Sequence, residues 1–478
     1  MVSVPPTHQS LVSVLALFAL PTSTMATQTT LPWSMSGQCP VNDRWAWMSE
    51  ESAWQCDPRW KTYAAKLNNF VGKLTIVDLC GGLGTGYIAL SLVLPRGCVE
   101  SGGIWDTDSH LARFLGLIHA DSKAIHLGSI GGDLMKMNIA DIGHGHIIVA
   151  GPPCPPWSRL GNKGSFGDER STVFWRVVDI VIHQANHGFL GLFVLENVEN
   201  IVHKAPGCET PASDILLKAL RDELPHNWKV DIVFLNSASY GLPQSRNRAF
   251  IIGHRTDLFG SEDIVSPMPF EGTVPLANLL DLDDKVEVVP GTPTQQSNLL
   301  DWKQHFRSTI ENRTASGSFA VFDVSRTPSR RTAWQARGYI DIVECLTATG
   351  TKNLHILSLG GGGEPEGHVA LDRQLRCHER ARLQGFPAVI CNEANESSEN
   401  KRVFGNAMTV PVIGSILACE MLSLCKHSSA TKIAHWCAAS AHGHCRDVPL
   451  VYSSSRAASS SGDSPSKRQR ADEAGVLR

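Results

Sequence analysis

The chain carries almost no net charge. Forty-three Lys and Arg against 46 Asp and Glu leave −3 at pH 7 over 478 residues, so no global basicity announces a nucleic-acid partner and any such surface must be local. The 13 cysteines are scattered without regular pairs, in a chain too long to need disulfide staples. That excludes a small secreted scaffold and fits a reducing compartment. Long hydrophobic runs are missing too. The apolar stretch 11–20 (LVSVLALFAL) resembles a secretory leader but has no Lys or Arg before it and is too short to cross a bilayer. No other stretch reads as a membrane span. The glycine turn near residue 80 is not followed by Gly-Lys-Ser/Thr, which excludes a phosphate-binding P-loop.

What is present is organised around Gly151-Pro152-Pro153-Cys154-Pro155-Pro156-Trp157-Ser158. The apolar run Ile147-Ile148-Val149 reads as a buried strand, and the prolines turn the chain out of it into a stiff loop with Cys154 in the middle. Ligands gather at the carboxyl ends of strands in open α/β sheets. Taken alone, Cys154 is equally well a packed thiol.

Upstream, Leu74-Thr75-Ile76-Val77-Asp78-Leu79-Cys80-Gly81-Gly82-Leu83-Gly84-Thr85-Gly86 reads as strand, glycine turn and helix 87–93. Gly103-Ile104-Trp105-Asp106 reads as a second strand, with an acid placed to accept hydrogen bonds from ribose hydroxyls. Downstream come a helix over 172–185, the strand end Leu195-Glu196-Asn197-Val198, a helix over 212–224 and a strand over 229–235. In Gln244-Ser245-Arg246-Asn247-Arg248, alternation puts Gln244, Arg246 and Arg248 on one strand face.

Together these segments resemble, in order, the motifs of the cytosine-5 DNA methyltransferases over residues 72–425. The resemblance implies an α/β fold: a mainly parallel Rossmann-like methyltransferase sheet, with a small target-recognition domain inserted before the last helix. It divides the chain into an extension (1–70), a catalytic and cofactor-binding domain (71–270, completed by 388–426), a recognition region (271–387) and a largely disordered tail (427–478). It implies S-adenosylmethionine as cofactor. Cys154 becomes the nucleophile toward cytosine carbon 6, Glu196 the acid at ring nitrogen 3, and Arg246 and Arg248 the groups that steady the base. Asp78, Cys80, Gly82, Gly84, Asp106, Asp133, Pro153 and Asn406 fall to the cofactor. Ser158, Arg170, Gln244, Arg330 and Arg331 fall to DNA. The family usually carries an aromatic where Cys80 stands and glutamine where Pro155 stands.

The implied partner is duplex DNA, bound by a monomer without a membrane. An RNA enzyme of the same fold acting on a tRNA cytosine, and an inactive DNA-binding relative, remain alternatives. The window from Lys303 to Arg337, with Arg307, Arg313, Arg326, Arg330 and Arg331 against only Glu311 and Asp323, is the local basic surface that phosphate contact requires. Residues 373–387 (RQLRCHERARLQGFP) read as one amphipathic helix, and a further helix runs from about 403 to 425. The His435, Cys437, His442, His444, Cys445 cluster lacks the paired spacing of a zinc site, so no metal is expected. The cluster Lys467-Arg468-Gln469-Arg470 in a Ser-rich tail points to the nucleus.

Overall fold

A computed structural model describes residues 67–439 apart from short stretches, the longest being 158–170, 283–291, 311–317, 329–338 and 360–370. The leader, the amino-terminal tryptophans, Pro155, Ser158, Arg170, Arg330, Arg331, the 442–445 part of the His/Cys cluster and the basic tail lie outside the described residues.

The seven-stranded sheet has the order β3-β2-β1-β4-β5-β8-β6. Its strands are β1 (Leu74–Leu79), β2 (Val99–Asp106), β3 (Ile125–Leu127), β4 (Ile147–Ala150), β5 (Leu192–Val198), β6 (Trp228–Asn236) and β8 (Asn247–Arg255). β3, β2, β1, β4 and β5 run parallel, whereas β8 is antiparallel to both β5 and β6. The central strands β1, β4 and β5 are almost continuously apolar because both faces are covered. Helices Thr85–Val93 and Val410–His427 cover one face; Ser171–Asn186 and Ala212–Glu223 cover the other.

Ser398–His427 has the length and apolarity of a membrane span, a feature the sequence reading passed over. It is a core element, since 78% of its most apolar window is buried inside the protein. It is also two helices, Ser398–Asn406 and Val410–His427.

The 271–387 region builds a four-stranded sheet, β10-β9-β12-β13, from β9 (Phe319–Asp323), β10 (Tyr339–Ile340), β12 (Leu354–Ser358) and β13 (Asp372–Gln374). β7 (Gln244–Ser245) pairs in parallel with β11 (Val343–Glu344) and links this region to the main sheet. Residues 373–387 are not one helix. Arg373 lies on β13, and the helix is only Cys377–Leu383. Its buried guanidinium reaches forward to Glu379, with Nη2–Oε1 at 2.6 Å, which holds the chain extended before the helix begins.

Gln244, Arg246 and Arg248 do not share one continuous strand. The chain breaks at Arg246, whose N–H is taken by the Asn236 side chain at 3.2 Å, and β7 and β8 join different sheets. Gln244 is fully buried and cannot contact DNA. Its Nε2 donates to the Leu383 carbonyl (2.7 Å), and its Oε1 accepts from the Leu346 N–H (3.1 Å). Gln384 continues the network, accepting from Thr409 Oγ1 at 3.0 Å and donating to the Phe404 carbonyl at 2.7 Å. Because buried polar groups stranded without partners are costly, Gln244→Ala is expected to destabilise the protein by about 1–3 kcal/mol, read by urea denaturation. A stability unchanged from wild type contradicts this structural role.

Candidate active site

The site forms at the carboxyl edge of β1, β4 and β5. Register sets it: Ala150 on β4 lies beside Leu195 on β5, so the Cys154 loop and Glu196 leave the sheet side by side. Two amides hold the loop there. Asn197 Nδ2 donates to the Pro152 carbonyl at 3.2 Å, and Asn200 Nδ2 to the Trp157 carbonyl at 2.7 Å. On the other flank Val198 pairs with Arg248, which brings the guanidinium to the same edge. Arg248 Nε donates to Glu196 Oε1 at 2.8 Å, and Arg246 Nη2 lies 3.8 Å from that oxygen.

Arg246 is 3% exposed. Its guanidinium donates to the carbonyls of Leu346 (2.7 Å), Gly405 (3.2 Å) and Ala407 (3.0 Å), so it fastens two distant segments around the site while still lining it.

Cys154, Glu196, Arg246 and Arg248 share one cavity of about 980 Å³ with Cys80, Gly82, Asp106, Asp133, Pro153 and Asn406. Gly82 has φ +54° and open space where a Cβ would sit, so a ligand can come close to the backbone there. Cys80 takes the same left-handed conformation without glycine's freedom, at φ 47°. Asp106 accepts from the Gly82 and Asp108 N–H groups, both at 2.9 Å, and keeps lone pairs toward the cavity. Two acids and an uncovered glycine turn match the hydroxyls and amino groups of a nucleoside-bearing cofactor such as S-adenosylmethionine.

Two expected cofactor contacts fall elsewhere. Asp78 is fully buried under the turn, where its carboxylate accepts from the N–H groups of Gly86 (2.8 Å) and Tyr87 (3.0 Å). Burial pushes it up to about 7, with these two donors pulling the other way. A Cβ on Gly86 would lie 2.6 Å from Asp78 Oδ1, so the glycine makes this approach possible. Gly84 faces inward, toward Ile104 and His119. Both residues hold the turn's shape rather than touch what it binds.

In the recognition region, Lys303 pairs with Asp372, and Arg326 Nε lies 3.7 Å from Asp323 Oδ2, so part of the basic window is spent internally.

Sequence reasoning missed Cys345 and Met408, both lining the cavity. Cys345 Sγ lies 3.7 Å from Arg246 Nη1 and 3.6 Å from Arg248 Nη2. No local pattern marks it, because those partners are about a hundred residues away in the chain. It also missed the ion pair between Arg402 and Asp108 (2.9 Å), which joins the Ser398–Asn406 helix to the rim beside Asp106.

The two thiols differ electrostatically. Burial raises the Cys154 thiol and Glu196 adds to the rise, against the guanidiniums of Arg248 and Arg246. Burial also works to raise Cys345, but the same guanidiniums prevail and hold it below the ordinary thiol value. The thiolate is the nucleophile. In the DNA-free protein at neutral pH, iodoacetamide is therefore expected to modify Cys345 before Cys154, and the Cys154 rate to keep climbing with pH beyond the ordinary thiol value of 9.0. Peptide mass spectrometry after limited labelling checks the order. Arg248→Ala should slow both thiols.

A family model described as C-5 cytosine-specific DNA methylase matches residues 74–419. The chain is 28% identical over 301 residues to Type II methyltransferase M1.ScrFI of Lactococcus lactis subsp. cremoris, covering 62% of this chain and 67% of that protein. It is 28% identical over 285 residues to Type II methyltransferase M.SsoII of Shigella sonnei, covering 60% of this chain and 66% of that protein. The chain thus spans about two thirds of the length of these relatives. Among solved structures, the Entamoeba histolytica methyltransferase EhMeth superposes with a TM-score of 0.50 at 13% identity, covering 74% of this chain and 99% of that one, a likeness of fold. With the Cys154 loop, Glu196, Arg246, Arg248 and the glycine turn on one cavity, the chain belongs to the C-5 cytosine-specific DNA methylase family, whose members draw their methyl group from S-adenosylmethionine.

Proposed function

We propose that this protein is a DNA (cytosine-5-)-methyltransferase acting as a monomer on duplex DNA through a covalent adduct at Cys154. The observation that carries this reading is the convergence of Cys154, Glu196, Arg246 and Arg248 with the Gly81-Gly82 turn and Asp106 on one cavity.

Carbon 5 of cytosine is a poor nucleophile. Addition of the Cys154 thiolate to carbon 6 makes carbon 5 electron-rich, as an enamine is. Glu196 meets ring nitrogen 3 and supplies the proton that relieves its charge. Arg248, held by Glu196, orients the base carbonyl, and Arg246 fixes the wall behind it. Gly82, Asp106, Asp133, Pro153 and Asn406 would hold S-adenosylmethionine, whose sulfonium would supply an electrophilic methyl group and leave as the neutral thioether. Loss of the carbon 5 proton then expels the Cys154 thiolate and restores the ring. The raised Cys154 thiol of the free protein fits a nucleophile that is activated only beside substrate.

A stacked base cannot enter this cavity, so the target must rotate out at a cost of about a few kcal/mol. We assign the offsetting contacts to Ser158, Arg170, Arg330 and Arg331. A nuclear placement rests on the Lys467-Arg468-Gln469-Arg470 cluster alone. The relatives in Lactococcus and Shigella are bacterial proteins and lend it no support.

Bisulfite sequencing of duplex DNA incubated with the purified chain and S-adenosylmethionine is expected to reveal cytosines protected from conversion in a defined sequence context, with a parallel tRNA substrate unmodified. Cys154→Ser should bind DNA but lose turnover and lose covalent capture on 5-fluorocytosine. Glu196→Gln should lower kcat about 10²- to 10⁴-fold. Methylation by Cys154→Ser at the wild-type rate, or methylation confined to tRNA, overturns the proposal.

A further inference from the structure

Methyl transfer through Cys154 leaves a second thiol on the cavity wall unused. Cys345 comes from the recognition region, directly after β11, and the pairing of β11 with β7 explains its place. Glu344 lies beside Ser245 in that parallel pair, so the next residues, Cys345 and Arg246, leave it side by side. The Cys345 sulfur stands 3.7 Å from Arg246 Nη1 and 3.6 Å from Arg248 Nη2, within hydrogen-bond reach of both guanidiniums. Arg248 is thereby held from two sides. Its Nε donates to Glu196 Oε1 at 2.8 Å and its Nη2 to the Cys345 sulfur, while Nη1 donates to the Asn247 carbonyl at 2.7 Å.

Two guanidiniums meet a single carboxylate here, so one positive charge is left over beside the cavity. Two thiols compete for it. Burial raises the Cys154 thiol, and Arg248 and Arg246 pull against that rise. Burial also opposes ionisation of Cys345, but there the guanidiniums prevail. Cys345 is therefore already a thiolate throughout the pH range in which Cys154 titrates. The groups that act on its sulfur are Arg248 and Arg246 from β8 and the residue before it, with Glu196 and Cys154 on the same two arginines. Glu344, its neighbour in the chain, sits with Asp323 and Arg326 instead and does not line the cavity.

We propose that Cys345 is a positioning residue for the reaction at Cys154: its sulfur is the second anionic partner of Arg246 and Arg248, and by engaging them it keeps their charge from the Cys154 thiol in the DNA-free protein. The inference rests on the reading of Cys154 as the attacking thiol and adds the group that restrains it. Cys345 touches no reacting atom in this account and acts through the arginines alone.

The test is the pH dependence of Cys154 alkylation, read as initial rates under trace iodoacetamide by peptide mass spectrometry of the full-length, DNA-free chain. With the competing negative charge removed, Cys345→Ala and Cys345→Ser should both move the Cys154 midpoint to lower pH, by about one unit. The acid limb of kcat/KM for DNA methylation, which reports the free enzyme, should move the same way. Cys345→Asp restores a negative charge and should return both toward wild type. A wild-type midpoint in Cys345→Ser makes the role one of packing and overturns the proposal, as does a Cys345→Asp midpoint no different from that of Cys345→Ala. Should the variants fail to fold, the folded wild type serves. Methyl methanethiosulfonate converts the Cys345 thiolate to a neutral methyl disulfide with release of methanesulfinate, and the Cys154 midpoint should fall as in Cys345→Ala; an unchanged midpoint again overturns the assignment. The alkylation readout needs no DNA, so absence of methylation with a shifted midpoint counts against the proposed substrate and leaves the restraint on Cys154 standing.

Discussion

The ion pair between Glu196 and Arg248 is the constraint on which the site depends. Glu196 is only 7% exposed, and a carboxylate at that depth is tolerated when paired and hydrogen-bonded. The partner reaches it because the sheet changes direction at this point. Parallel pairing of β4 with β5 sends the Cys154 loop and Glu196 out at one edge, and antiparallel pairing of β5 with β8 returns Arg248 to that edge from a later part of the chain. A wholly parallel sheet would enter β8 from the opposite end and carry Arg248 away. The departure from parallel order is thus what closes the site.

Much of this was legible because the features are local. An apolar run ending in glycine and proline marks a buried strand and a stiff loop, and Cys154 falls where the pattern says chemistry gathers. The glycine turn, Asp106 and Glu196 follow the same logic: short strands, each with its polar residue at the carboxyl end. What was not legible depends on partners distant in sequence. Alternation along 244–248 presumes an unbroken strand, and Asn236 breaks it by capturing the Arg246 N–H. Arg373 reads as helical until Glu379 is seen to hold it. Cys345 has no signature at all, being defined by two guanidiniums about a hundred residues earlier in the chain.

Asp78 and Gly84 show a further limit of motif reading. A pattern reports which residues a turn needs, without separating those that meet the ligand from those that shape the turn. Asp78 satisfies the first N–H groups of the Thr85–Val93 helix from beneath, so those donors are engaged before any ligand arrives. The cavity side of the turn is left to Gly82 and Asp106.

Arg246 and Arg248 stand two residues apart and have become different devices. Arg248 spends its Nε on a carboxylate inside the cavity. Arg246 spends its Nη groups on three backbone carbonyls, from Leu346 on one side and Gly405 and Ala407 on the other. A lysine could supply the charge but not that planar fork, so the arrangement asks for arginine on geometric grounds. The consequence for the proposed reaction is preorganisation. The positive charge behind the cytosine is held by main-chain groups that do not move when substrate enters, so no reorganisation is charged against the step in which negative charge develops on the ring. The segments that Arg246 fastens are also those that carry Cys345 and Asn406. The same side chain therefore sets the distance between the Cys345 wall and the Asn406 wall of the cavity.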